Sequence, residues 1–156
     1  MKRRIIFIFV FVCMIILIYF LNYFGIIHGR KYTLSEFGIN VIKSDIDYDN
    51  NGIDDYTDIL NGAKIDAENK PKYKSEYYGG GYPPDNIGVC TDVIWRAFKN
   101  AGYSLKDMVD NDIKNNPDDY DIEIIDSNID FRRVVNLRVF FDKYATLLTN
   151  DIYNIG

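Results

Sequence analysis

Cys90 has the greatest chemical reach of any residue in this sequence. It follows Tyr77-Tyr78-Gly79-Gly80-Gly81-Tyr82-Pro83-Pro84-Asp85-Asn86-Ile87-Gly88-Val89 and leads into Thr91-Asp92-Val93-Ile94-Trp95-Arg96-Ala97-Phe98. Three glycines followed by two prolines cannot continue a helix or a central strand, so they predict an ordered loop. Beyond it, Val93, Ile94, Ala97, Phe98 and Ala101 fall at helical spacing. They predict a helix from residue 89 or 90 to residue 101, with Gly102 as its left-handed C′ residue. A thiol in the first turn of such a helix meets unpaired N–H groups and the positive end of the dipole. Both favour the thiolate, the nucleophilic form, and the same N–H groups can stabilise an oxyanion. The alternative is a buried cysteine acting as a small hydrophobe.

A second constellation runs over residues 47–58. Asp47, Asp49, Asn51, Asp55 and Asp58 offer side-chain oxygens at loop positions 1, 3, 5, 9 and 12, and Ile53 offers its carbonyl at position 7. Gly52 falls at position 6, where a calcium loop turns sharply. The spacing resembles the Asp-rich calcium loops of dockerin and thrombospondin-type repeats, and implies a structural Ca2+ site. Asp54 at position 8 and Asp58 at position 12 depart from the EF-hand pattern, which has an aliphatic residue and a bidentate Glu there. The competing reading is an Asx-rich turn that caps the following helix.

The elements that must position these groups follow from periodicity and breakers. Asp55 to Lys70 reads as a helix with Ile59, Leu60, Ala63 and Ala67 on one face, stopped by Pro71. Ser104, with Asp107 three residues on, predicts an N-cap and a helix through about residue 113. Ile122 to Ile125 is a candidate short strand in an acidic, turn-rich stretch. Asn136 is a candidate cap for a last helix whose stripe is Leu137, Phe140, Phe141 and Tyr144. Residues 146–156 read as extended. Strand content is low throughout.

Composition adds a membrane segment. Between residues 5 and 27 only Asn22 and Gly25 are not hydrophobic. As a helix this run is about 35 Å long, enough to cross a hydrocarbon core of about 30 Å with tilt. Lys2, Arg3 and Arg4 precede it and outweigh Arg30 and Lys31 beyond it, which places the N-terminus in the cytoplasm and residues 28–156 outside. A cleaved signal peptide is the competing reading, but the apolar run is long and no small-x-small site follows it. The chain is thus read as residues 1–27, cytoplasmic tip and single-pass anchor in the cell membrane; residues 28–44, stalk; and residues 45–156, folded domain. All 23 acids lie after residue 27, against 15 of the 18 bases, so the outer part carries a net −8. An acidic surface without a basic stripe argues against nucleic acid as partner. Cys13 belongs to the anchor, so Cys90 has no disulfide partner outside it.

The run Gly88-Val89-Cys90-Thr91-Asp92-Val93 with Arg96-Ala97-Phe98, the earlier Gly79-Gly80 and Pro83-Pro84, and the later Asn128-Ile129-Asp130-Phe131-Arg132-Arg133-Val134 with Asn136-Leu137 together resemble the bacterial domain of unknown function 1287 over roughly residues 54 to 153. That family is similar to the NlpC-type branch of papain-like cysteine hydrolases, many of which cut peptide or amide bonds of peptidoglycan. The resemblance implies an α+β, papain-like domain with Cys90 as nucleophile and wall peptide as substrate or ligand. It also implies a histidine base on a His-Ile-Gly-type strand beyond the position of Tyr153. The only histidine here is His28. The expected fold is therefore the mainly helical N-terminal half of such a domain, C-terminally truncated, with most of the β-sheet missing. Asp92 reads either as a catalytic group or as a cap. Arg132 and Arg133 read either as a grip on a ligand carboxylate or as partners of the domain's own acids. Trp95 and the tyrosines read either as a groove lining or as core. Three readings compete: a membrane-tethered cysteine amidase or peptidase lacking its base, a non-catalytic envelope binding module ordered by calcium, and a disabled fragment with no selected activity.

Overall fold

The computed structural model describes residues 2–26, 32–38 and 40–147. The chain divides into two compact units, Met1–Val41 and Ile42–Gly156. Among its described residues the first holds helix α1 (Lys2–Tyr23) and a 3-10 turn (Leu34–Phe37). Among the described residues α1 alone is long and apolar enough to cross a membrane or to serve as a signal sequence. None of its residues is buried, as expected of a helix with an apolar surface all round.

The second unit is mostly helical, with α2 (Asp55–Asn69), α3 (Asp92–Asn100), α4 (Leu105–Asn115) and α5 (Val134–Tyr144), and with one two-stranded parallel sheet. Strands β1 (Lys72–Tyr73) and β2 (Ile87–Gly88) pair Lys72 with Ile87 and Tyr73 with Gly88. They close the base of the Gly/Pro loop that leads to Cys90. Helix α2 begins where Asp54 accepts the N–H of Thr57 and ends on left-handed Lys70. Helix α4 is capped by Ser104, as expected. Trp95, Leu105, Val109, Ile113, Tyr120, Phe131, Leu137 and Phe140 form the core, drawn from α3, α4, α5 and the turn Asp130–Arg132, with Tyr120 directly after the turn Pro117–Asp119.

Several expectations are corrected. The buried face of α2 is Asp55, Asp58, Gly62 and Asp66, whereas Leu60 and Ile65 are exposed. A Cβ on Gly62 would lie 2.6 Å from Asn100 Cβ and 2.8 Å from Ala97 Cα, so the glycine lets α2 press directly on α3. The acids on this face find donors instead of apolar neighbours. Arg96 Nη1 reaches Asp66 at 2.8 Å and the Tyr103 hydroxyl donates to Asp55. No strand forms at residues 122–125, and Ile124 is 80% exposed with no partner for a ladder. Asn136 lies inside α5 and donates to the Asp130 carbonyl at 3.1 Å instead of capping the helix. Of the stretch 146–156, only residues 146 and 147 are among those described.

Candidate active site around Cys90

Helix α3 starts at Asp92, so Cys90 sits just before the N-cap Thr91 and not inside the first turn. Its thiol is free and exposed. Both neighbours are held. The Val89 N–H donates to Asp92 Oδ2 at 2.6 Å, and the Thr91 hydroxyl donates to the Arg132 carbonyl at 2.7 Å. A Cβ on Gly88 would stand 2.8 Å from Asp92 Oδ2, so only glycine leaves room for that carboxylate to reach back over the chain.

Asp92 is fully buried and is gripped from both sides. Arg132 Nε donates to Oδ1 at 2.7 Å and Nη2 to Oδ2 at 2.9 Å, while Trp95 Nε1 donates to Oδ1 at 2.9 Å. Burial pushes its carboxyl pKa up, but the donors Arg132, Val89 and Trp95 outweigh that and hold it below the ordinary value. The pair is therefore ionised and neutral as a unit. Arg132 Nη1 continues to the Glu76 carbonyl at 3.3 Å, and the guanidinium lies 5.5 Å from the Tyr78 ring centroid. Asp92 accepts the Val89 N–H ahead of the helix and no first-turn backbone N–H, and Arg132 binds the domain's own acid. Sequence reasoning missed that they are each other's partners. The spacing of 40 residues hides it.

The Gly/Pro loop is tied to the same turn. The Gly80 N–H donates to Asn128 Oδ1 at 3.0 Å, and Asn128 Nδ2 donates to the Tyr77 hydroxyl at 2.9 Å. Gly81 has φ +90 and faces the Phe131 ring, with no space for a side chain. Trp95 is buried and packs on Tyr82 with ring centroids 4.8 Å apart, so it belongs to the core. A cleft of about 560 Å³ between α2 and α3 is lined by Asp66, Asn69, Arg96, Lys99 and Asn100 among others, and Cys90 does not line it.

In the acidic loop, Asp47 accepts the N–H groups of Asn51 and Gly52 at 3.1 and 2.9 Å, and Asn50 and Gly52 take positive φ. Asn51 Nδ2 donates to both Asp49 and Asp58, at 3.1 and 2.7 Å, while its Oδ1 accepts the Ile53 N–H. Asp55 turns to the Tyr48 N–H and the Tyr103 hydroxyl, and that hydrogen bond pushes the Tyr103 pKa up to about 12. The loop thus brings Asp49 and Asp58 together and directs Asp55 elsewhere. Among the described residues, no group of three or more His, Cys, Asp or Glu side chains is placed to hold a metal.

Residues 60–154 match the family described as Domain of unknown function (DUF1287). The chain belongs to the DUF1287 family. Over 78 residues it is 37% identical to the uncharacterized protein YijF of Escherichia coli (strain K12). That match covers 47% of this chain and 38% of YijF, so the chain spans less than half of the relative's length. No solved structure matches. The Cys90 segment, the Arg132 turn and most of α2 all fall inside the DUF1287 match.

Proposed function

We propose that this DUF1287 protein is a membrane-tethered envelope protein whose reactive group is the Cys90 thiol. Residues 5–27 anchor it, residues 28–156 lie outside the cell, and the substrate class is the amide or peptide bond of wall peptide. The observation carrying this reading is an exposed thiol placed directly before α3 on a backbone fixed at both neighbours. A thiol so held can attack a carbonyl carbon with a helix N-terminus close by to favour the developing oxyanion. No histidine lies among the described residues, since the one histidine, His28, falls outside them. Turnover is accordingly expected to be slow without an added base.

Purified peptidoglycan sacculi incubated with the protein and imidazole as external base test this. The expected result is release of peptide that depends on imidazole and disappears in Cys90→Ala. Equal release from the alanine variant overturns the nucleophile assignment.

A second reading, a non-catalytic wall-binding module with a structural calcium site, is favoured by one feature of the acidic loop. An amide N–H2 group stands between the Asp49 and Asp58 carboxylates, where a cation would satisfy the same oxygens. On this reading Asp47, Asp49, Asn51, Ile53, Asp55 and Asp58 hold Ca2+. Calcium then raises the melting temperature, as any ligand of the folded state does, and Asp47→Ala removes the rise. Absence of a rise in the intact protein leaves the loop as a helix cap.

A further inference from the structure

Two buried carboxylates on facing elements each keep one oxygen with no hydrogen-bond partner: Asp110 Oδ1 on α4 and Asp130 Oδ1 in the turn Asp130–Arg132. Asp110 is 6% exposed and Asp130 is wholly buried. Their other oxygens are served. Lys106 Nζ, one turn back on α4, reaches Asp110 Oδ2 at 2.9 Å, and the Asp126 N–H reaches Asp130 Oδ2 at 2.6 Å. The charges are not evenly matched. Lys106 pairs with Asp110 inside the seam. Arg133 Nη1 stands 3.5 Å from Asp130 Oδ1 without a hydrogen bond, just outside the start of α5 and nearly half exposed, where water screens it. The carboxylates of Asp126 and Asp110 add repulsion.

A bare carboxylate oxygen in a dry interior loses its hydration without compensation, and a second carboxylate nearby makes that worse. The chemistry that relieves both is a proton. We propose that Asp110 and Asp130 form a buried proton-binding site, in which the folded domain holds one proton on Asp130 that the unfolded chain releases. Burial, joined by Asp126 and Asp110, pushes the Asp130 pKa above its ordinary value against the pull of the Asp126 N–H and Arg133. The sign follows. A carboxyl whose folded value is raised stabilises the fold fully below the unfolded value, and that contribution is lost as pH rises through the folded value. Asp130 and Arg132 share one short turn, so ionisation there loads the element that holds Asp92 beside Cys90.

Denaturant unfolding of the full chain at about pH 5 and about pH 7.5, both above the ordinary carboxyl value, tests the site. Wild type is expected to lose midpoint denaturant concentration between the two, and Asp130→Asn to lose less. Asn keeps the acceptor for the Asp126 N–H and offers an N–H2 donor in place of the proton, so this variant should match or exceed wild type at the higher pH. Asp110→Asn, which removes the repelling charge from the other side, should also flatten the profile. Curves for both variants that run parallel to wild type would overturn the proposal.

Discussion

Asp92 and Asp130 are both fully buried aspartates within the DUF1287 match, yet they are held in opposite ways. Asp92 receives the Arg132 guanidinium on both oxygens, the Trp95 ring N–H and a backbone N–H, and its pKa falls despite burial. Asp130 receives one backbone N–H, its other oxygen has no hydrogen bond and only the half-exposed Arg133 at 3.5 Å, and its pKa rises. Depth does not decide the charge state of a buried acid. The number of donors aimed at it does. The first arrangement fixes the backbone around Cys90. The second leaves a place for a proton close by.

The contrast is broken most sharply at Arg132. Arg132→Met leaves the buried Asp92 carboxylate without a counter-charge, which should cost about 3–5 kcal/mol of unfolding free energy. Asp92→Asn in the same chain should recover most of that, because the amide still accepts the Val89 N–H and no charge is stranded. Urea unfolding of the single and double variants reads both values. Equal stability of the two would mean that Arg132 does not serve Asp92. At the other site the sign reverses. Asp130→Asn removes a burden instead of a partner, so near neutral pH it should be neutral or stabilising, a smaller effect read in the same titrations.

These opposite outcomes reflect what local sequence can and cannot carry. The limits of α2, the Ser104 cap, left-handed Gly102 and the helix after Cys90 are all signalled by neighbouring residues, and all are present. The face that α2 buries is not legible that way. Apolar periodicity points to Leu60, while the contact with α3 is made by Gly62 and by acids whose donors, Arg96 and Tyr103, lie 30 and 48 residues away. Asp112 shows the same thing. It collects hydroxyl, amide and ammonium donors from Tyr120, Asn116, Lys143 and Tyr144, which hold its pKa down to about 2 although burial works against them. An acidic composition reads as solvated surface, but here much of the acid is interior and is satisfied by partners that only the fold brings close. The place of Cys90 between a glycine-rich loop and an amphipathic helix was legible because both are local patterns. The hold on its neighbours depends on Asp92, two residues on, and on Arg132, whose carbonyl takes the Thr91 hydroxyl across 41 residues.

The claim that Cys90 is a reactive thiol, held for attack by its surroundings, is tested most directly by its rate of alkylation. Iodoacetamide labelling of the full chain at neutral pH, with the Cys90 peptide resolved from the Cys13 peptide by mass spectrometry, compares the folded protein with the same chain in urea. A thiol favoured by its place before α3 should label about tenfold faster in the folded protein than in the unfolded chain. Equal or slower labelling in the folded protein would contradict it.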